Sequence, residues 1–214
     1  MIDLISAPNL MFFPDLAAQM FRLRHRVFKE RLGWDVSSHN GMERDSYDAL
    51  NPVYLISSDA NGSVNGCWRF LPTTGPYMLK DTFPSLLESN AAPCDPAIWE
   101  TSRFIVDDGS VSKPDLRALS RVTVELFCGL GEFCESHGLS EIVTVHDLRI
   151  ARLILRVVGY EPKWSSAVHT VGRSKAVAAR YDVKPRILEQ VRQKFGIGAS
   201  VIHNWVEDRR QEAA

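Results

Sequence analysis

Short runs of alternating or predominantly apolar residues predict the strands of this protein. A period of two is typical of strands with one buried face, and β-branched and aromatic residues favour them. The turn signal Ala60-Asn61-Gly62 joins two of these runs and predicts a hairpin. The predicted strands are Ile2–Ser6, Val53–Ser57, Val64–Leu71, Ile98–Val106, Glu141–Val145, Ala167–Val171 and Ala176–Tyr181.

Apolar residues at intervals of three and four predict helices between the strands, first over Asp15–Leu32. Because strands and helices alternate, with no repeat and no linker, the pattern predicts a single α/β domain over 1–214 with a mixed, twisted sheet. The tail at 199–214 has no strong pattern, and we expect it to be marginal. Further helices are predicted from Ser112, with Pro114 in its first turn, to about His137, from Asp147 to just before Gly159, and over Pro185–Phe195.

The segment Gly33–Ala49 differs from its neighbours because it is polar and has no apolar period. Connections of this length are usually functional or disordered. Trp34 and Tyr47 lie within it, and large aromatic side chains in such a segment indicate that it folds over another group. We therefore expect a mobile loop that covers a binding site, with a simple hydrophobic anchor as the alternative role for Trp34.

Composition narrows the possible partners. The 214 residues are 45% hydrophobic, and 25 basic residues face 26 acidic ones, so no chain-wide attraction to nucleic acid or to an anionic membrane is expected. No apolar run approaches the roughly 20 residues of a membrane span. Asp3 stands where a signal peptide has a basic residue. The four cysteines form no Cys-x-x-Cys pair, which favours reduced thiols, no metal site and a cytoplasmic location.

Charged residues occur where the patterns indicate apolar or aromatic surroundings. Such charges must pair or bind a ligand, because an isolated buried charge is costly. For any one of them, an ion pair that only shapes the loop is a sufficient explanation, whereas the whole set favours a polar ligand. The set comprises Arg24, Asp45, Asp48, Arg69, Glu100 and Arg103.

These residues belong to short motifs: Arg24-x-x-x-Phe28, Gly33-Trp34, Asp45-x-x-Asp48, Gly66-x-x-Arg69, Phe83-Pro84 and Trp99-Glu100-x-Ser102-Arg103. Together, and in this order, they resemble the signature of the LuxI-type acyl-homoserine-lactone synthases, from about Phe21 to Gly159. The resemblance implies an acetyltransferase-like (GNAT-like) fold, a single-domain αβα sandwich with a mixed twisted sheet.

The resemblance also implies a two-step reaction that makes a quorum-sensing signal. The amine of S-adenosylmethionine (SAM) attacks an acyl thioester, and the methionyl carboxylate then closes on its own γ-carbon and expels methylthioadenosine. SAM is a substrate, and no cofactor is implied. The amine has a reference pKa of roughly 8, so a base must free it. The implied roles are Glu100 as that base, Ser102 and Phe83 near the thioester, Arg24, Phe28 and Trp34 as SAM contacts, and Asp45, Asp48, Arg69 and Arg103 as a supporting ion-pair network.

Two features concern the acyl donor, either an acyl-carrier protein or acyl-coenzyme A. Arg149, Arg152 and Arg156 form one stripe of a predicted helix, a docking face for an acidic carrier or an ordinary solvated face. By resemblance Thr144 and Met78 belong to the acyl pocket, and Thr144 is associated with 3-oxo chains; ordinary β-propensity is the alternative for Thr144.

The loop Asp107-Asp108-Gly109-Ser110-Val111 has two carboxylates and one glycine, a poor cradle for the pyrophosphate of coenzyme A. It therefore favours a carrier protein as donor. Glu100 and Arg103 are three residues apart, so a regular strand would direct them to opposite faces, and we expect a β-bulge near Thr101 or Ser102. The alternatives are an N-acyltransferase that uses acyl-coenzyme A on another amine, and a non-enzymatic acyl-ligand sensor.

Overall fold

The computed structural model describes residues 1–88, 90–107, 120–171, 174–183 and 185–206. The strands are β1 (Ile2–Ser6), β2 (Ser38–His39), β3 (Met42–Glu43), β4 (Val53–Ser58), β5 (Val64–Pro72), β6 (Ile98–Val106), β7 (Glu141–Asp147), β8 (Trp164–Ser165), β9 (His169–Val171), β10 (Ser174–Asp182) and β11 (Ile202–Val206). The helices are α1 (Pro14–Arg24), α2 (Met78–Asp81), α3 (Arg121–Ser136), α4 (Leu148–Val158) and α5 (Pro185–Phe195). These elements form a mixed α/β fold with a large mixed sheet, which confirms the predicted fold class.

Helix boundaries follow from capping residues near the chain positions that the sequence indicates. The Asp147 carboxylate accepts the backbone N–H groups of Arg149 and Ile150, which begins α4. Gly159 ends it in the left-handed conformation with φ +79°. The predicted start of α3 at Ser112 lies outside the described residues. Each helix of the described residues is too short or too polar to traverse a lipid bilayer.

The first of two compact units contains Met1–Arg69 and the described parts of Arg103–Gly129 and Ser200–Ala214. Its strand order is β11-β1-β4-β5, with β1 parallel to β11 and antiparallel to β4. Helix α1 continues as a π-helix over His25–Arg31. Apolar residues at intervals of three and four lie on one face of α1 and the π-helix, and this face packs against strand residues. The resulting buried cluster includes Met20, Leu23, Val27, Phe28, Ile5, Tyr54, Ile56 and Ile105.

The second unit contains the described parts of Phe70–Ser102 and Leu130–Ala199. Its strand order is β6-β7-β10-β8, and β9 pairs with β10. Strand β7 runs parallel to β6 and antiparallel to β10. One face of this part of the sheet packs Ile98, Val143 and Ala178 against Leu79 and Leu86. On the other face, the Trp99 ring lies edge-on to Phe133 of α3, with centroids 5.2 Å apart.

Gly66 has a packing role. A Cβ atom at this position would lie 3.0 Å from Leu126 Cδ1 and 3.1 Å from Val122 Cγ1, both on α3. Such separations are tighter than most carbon–carbon contacts, so a larger residue at this position would require the Leu126 and Val122 side chains to shift. The glycine of the Gly66-x-x-Arg69 motif therefore allows α3 to pack closely on the strand that carries Arg69.

Candidate active site

A buried cluster of arginines and carboxylates lies in the first unit. The Arg24 guanidinium is fully buried and donates through Nε to Glu43 Oε2 at 2.5 Å. Its other two nitrogens donate to both oxygens of Asp48, at 2.7 and 2.9 Å. This paired geometry is the strongest form of arginine–carboxylate contact. The guanidinium is thus directed into the ion-pair cluster, and the implied contact of Arg24 with SAM stays a prediction.

Two further arginines complete the cluster. Arg69 donates to Asp45 at 2.5 Å and to Asp48 at 2.8 Å. Arg103 donates to Glu43 Oε1 at 2.9 Å and lies 2.8 Å from an Asp45 oxygen. Three guanidinium groups therefore face three carboxylates, and their formal charges cancel. Pairing of this kind, with one carboxylate for each guanidinium group, is what makes so many buried charges tolerable.

Backbone geometry holds the carboxylates in place. Asp45 and Asp48 form a capping box at the 3-10 turn Ser46–Ala49, in which each side chain accepts a backbone N–H group near the other. Tyr54 donates its hydroxyl to Asp48 at 2.7 Å. Burial by itself would raise the pKa of Asp48, but the neighbouring Arg24 and Arg69 guanidinium groups outweigh it and hold that pKa below its usual range.

Glu43 is the member of the cluster that the sequence motifs do not indicate. It is fully buried and links Arg24 to Arg103. Charge balance predicts a third carboxylate, because three buried arginines need three acidic partners. The set identified from the sequence has Glu100 in that place. The structure instead places Glu100 in the second unit.

An aromatic stack lies beside the cluster in the same unit. The Phe28 and Trp34 rings are stacked with centroids 5.0 Å apart and planes 23° from parallel. The Arg103 guanidinium carbon lies 5.1 Å from the Phe28 centroid, which is cation–π distance. Trp34 also donates its backbone N–H to Phe28 O at 2.8 Å. Trp34 is half-buried, and it packs against the core of the first unit from the segment that the sequence predicts as a loop.

Glu100 occupies a separate, buried position in β6. Its two carboxylate oxygens accept the backbone N–H groups of Met78 at 2.8 Å and Leu79 at 2.6 Å, at the start of α2. These bonds stabilise the carboxylate anion and fix its orientation. Phe83 lies just beyond α2 and donates its N–H to Met78 O at 2.9 Å. Ser102 is half-buried near the end of this part of β6.

The backbone of β6 is irregular at Arg103, whose φ is +59°. A non-glycine residue in this left-handed region is uncommon, and within a strand it breaks the alternation of side chains. The register of β6 with β7 extends from Ile98 to Thr101 and not beyond. The backbone irregularity of β6 therefore lies at Arg103, next to the positions at which a β-bulge is expected, and the β-bulge itself stays a prediction.

The two residues implied for the acyl pocket are not brought together. Met78 is buried beside the Glu100 carboxylate. Thr144 is buried on the opposite face of the sheet, because Val143, its neighbour in β7, is the residue that lies on the Glu100 face. A cavity of about 380 Å³ opens on that Val143 face; its lining includes Leu79, Leu87, Val143, Trp164, Lys163 and Arg180.

The arginine stripe is at the surface. Arg149, Arg152 and Arg156 are all exposed on α4. Arg149 pairs with Asp147 at 2.7 Å, which neutralises part of its charge. Leu155 of the same helix is 42% exposed. This face of α4 therefore offers a mixed basic and apolar surface to a partner.

Within the described part of the chain, no group of three or more His, Cys, Asp or Glu side chains could hold a metal ion. The four cysteines are free thiols, and Cys94 is the exposed one. The carboxylates described above accept hydrogen bonds from guanidinium and backbone N–H groups.

Comparisons with a family model, with known proteins and with solved structures all indicate the same family. A family model described as autoinducer synthase matches residues 9–191. An acyl-homoserine-lactone synthase from Pseudomonas aeruginosa is 41% identical over 177 residues, covering 82% of this chain and 86% of that protein. A solved structure of a CoA-dependent acyl-homoserine lactone synthase, BjaI, with SAM and isopentyl-CoA superposes with a TM-score of 0.81 at 28% identity, covering 97% of this chain and 93% of that one.

The fold is also found outside this family. A putative N-acetyltransferase from Lactobacillus plantarum superposes with a TM-score of 0.54 at 12% identity, covering 86% of this chain and 99% of that one, which confirms the acetyltransferase-like fold. Sequence similarity over most of the chain carries the more specific conclusion. The chain belongs to the autoinducer synthase family, and it is an acyltransferase of the acyl-homoserine-lactone synthase type.

Proposed function

We propose that the enzyme transfers an acyl chain from an acyl thioester to the amine of SAM and then closes the lactone, with no cofactor. The nitrogen–carbon bond forms as the carbon–sulfur bond of the thioester breaks, and the thiol leaves with a proton. The methionyl carboxylate then displaces sulfur from the γ-carbon, and methylthioadenosine leaves as a neutral thioether. This second step needs no strong acid, so accurate positioning is the main requirement.

The observation that carries the proposal is the buried Glu100 carboxylate, held by two backbone N–H groups. A fixed anion of this kind can take the proton from the SAM ammonium, directly or through a water. The Phe28–Trp34 stack supports binding of an aromatic, cationic substrate such as SAM, since aromatic faces attract both adenine rings and sulfonium charge. The arginine–carboxylate cluster acts as the scaffold that holds this stack.

Product analysis tests the reaction. Purified enzyme with SAM and an acyl thioester should release methylthioadenosine, free thiol and lactone in equal amounts, measured by liquid chromatography and mass spectrometry. An N-acyltransferase acting on another amine releases thiol without methylthioadenosine. Thiol release that depends on a different amine, with SAM unconsumed, would therefore exclude the lactone route.

Trp34 is expected to govern the affinity for SAM. Trp34→Ala removes one half of the aromatic stack and should raise the KM for SAM by about tenfold, with little change in the KM for the acyl donor. Trp34→Phe keeps a stacked ring and serves as the matched control. Steady-state kinetics with each substrate varied in turn makes the measurement, and equal increases in both KM values would point to a general folding defect.

We further propose an acyl-carrier protein as the donor, docked on the exposed face of α4. The support is the charge and exposure of Arg149, Arg152 and Arg156, because acidic carriers bind such surfaces. The loop 107–111, which bears on coenzyme A binding, lies outside the described residues beyond Asp107. The similarity to CoA-dependent BjaI makes coenzyme A thioesters the donor to test against.

Arg152→Glu should lower kcat/KM for an acyl-carrier donor by about threefold to tenfold and leave that for the matching coenzyme A thioester unchanged. Raising the salt concentration should weaken turnover with the carrier in the wild type, since exposed charges are screened. Arg22→Glu, a charge reversal at an exposed position of α1, is the matched control. Salt-insensitive turnover with a preference for coenzyme A would show that the stripe is only solvated surface.

A further inference from the structure

His146 in β7 is a buried side chain whose ring nitrogens have no partner in the described part of the chain. The residue is 8% exposed, and both ring nitrogens are buried with no hydrogen bond to any described residue. Burial lowers the pKa of His146 to about 4, against the opposing effect of the Asp147 carboxylate, so the ring is neutral near pH 7. A neutral imidazole has one donor and one acceptor, and nearly all buried polar groups in native proteins are paired. Two orphaned nitrogens on one ring therefore call for a partner.

The position of His146 indicates where that partner lies. Residues two apart along a strand point to the same face, about 7 Å from each other, so His146 shares the face of Thr144 and Ile142. The residues opposite them in β10 are Val177 and Ala179. His146 and Thr144 are thus two buried polar side chains on one face of β7, with Ile142 beside them and Thr101 of β6 next to Thr144.

Catalytic, metal-binding and packing roles fit this buried histidine less well. With its pKa near 4, His146 is a poor base for an ammonium group. No cluster of ligating side chains is available among the described residues to make it a metal ligand. A residue needed only to fill the core would serve better as Leu or Phe, which carry no unpaired nitrogens.

We propose that His146 is a specificity-determining residue that hydrogen-bonds an oxygen substituent, keto or hydroxyl, on the bound acyl chain. The inference rests on the proposed lactone synthesis and adds a second polar position to Thr144. A keto oxygen accepts the imidazole N–H, whereas a hydroxyl can also donate to the bare nitrogen. An unsubstituted chain leaves both nitrogens unpaired.

Competition between donors tests the proposal. Equal amounts of unsubstituted, keto-bearing and hydroxyl-bearing acyl thioesters of one length are supplied with SAM, and the lactones are quantified by mass spectrometry. The wild type should favour the oxygen-bearing chains, and His146→Phe should reduce that preference by about threefold to tenfold while keeping turnover of the unsubstituted donor. His146→Asn, which keeps a donor and an acceptor, should retain part of the preference.

Val143→Thr is the matched control, because it adds a hydroxyl of equal volume on the opposite face of β7, at the 380 Å³ cavity. If that variant changes the product ratio and His146→Phe does not, the chain lies on the other face and the proposal is wrong. A wild type without preference overturns it equally. Absence of any lactone from any donor would instead contradict the proposed function.

A second measurement uses the wild-type protein and therefore does not depend on the folding of a variant. In protein with ¹⁵N-labelled histidine, an inert keto-bearing acyl-pantetheine amide should shift the imidazole signals of His146, and the unsubstituted amide should shift them much less. Identical shifts with both analogues would assign His146 to the packed core.

Discussion

Replacing Glu100 with glutamine is expected to lower kcat by about 10²–10⁴. The change keeps the shape of the side chain and removes the group that takes the proton from the SAM amine. Since the loss lies in a chemical step, the KM values for both substrates should change far less than kcat. Rapid-quench measurement of N-acylation and methylthioadenosine release locates the slowed step.

The structure sharpens the control for this variant. The carboxylate accepts two backbone hydrogen bonds, whereas the single oxygen of glutamine can replace only one of the two carboxylate oxygens. The glutamine NH₂ group would then face the backbone N–H group of Met78 or Leu79, and two donors would oppose each other. A stability loss of about 1–3 kcal/mol is therefore expected alongside the kinetic effect. Glu141→Gln is the matched control, because Glu141 is also a buried carboxylate of the second unit and is paired with Arg180 and Lys163. It should lose stability and keep its kcat; equal kcat losses in both variants would assign Glu100 a purely structural role.

The sequence predicts those parts of the fold whose signals are local. Helix α5 begins at Pro185 and ends at Phe195, as the pattern predicted, and β6 likewise has the predicted bounds. The spacing of apolar residues and the residue types at turns act over a few positions, so the sequence alone is enough to predict these elements. Strand β1 is confirmed for the same reason.

Elements that depend on distant partners were missed. Strand β11 lies in the tail that was expected to be marginal, and it forms because Ile202–Val206 pairs with β1 at the other end of the chain. The single turn of α2 is too short to be stable alone, and its first two N–H groups are held by Glu100. The Glu100 side chain, about twenty residues away, therefore caps the start of α2, and a local sequence pattern cannot predict such a contact.

The residues of the candidate site likewise include some that the sequence predicts and some that it does not. The motifs identified the three arginines and both aspartates of the cluster, because these residues stand in the motifs that carry the family resemblance. The motifs did not reveal that Glu43 is the third carboxylate, since it lies outside every motif and its partners Arg24 and Arg103 are distant in sequence. The positive φ of Arg103 was equally hidden, because it arises where β6 leaves its register with β7.

Glu43→Gln is expected to produce the largest loss of stability of any change in the cluster. It leaves two buried guanidinium groups, those of Arg24 and Arg103, without their shared carboxylate. Removing one partner from a buried ion pair costs about 3–5 kcal/mol, because the remaining charge is uncompensated.

In a protein of this size that loss corresponds to a fall in Tm of roughly 10 °C, measured by calorimetry or circular dichroism. The effect should persist at high salt, since ions do not screen a charge that water cannot reach. Glu30→Gln is the control: Glu30 is 61% exposed and pairs only with His25 among the contacts of the described residues, so its Tm should hardly change. If Glu43→Gln melts within a degree or two of this control, the cluster tolerates an unpaired charge, and its proposed role as the scaffold of the Phe28–Trp34 stack is wrong.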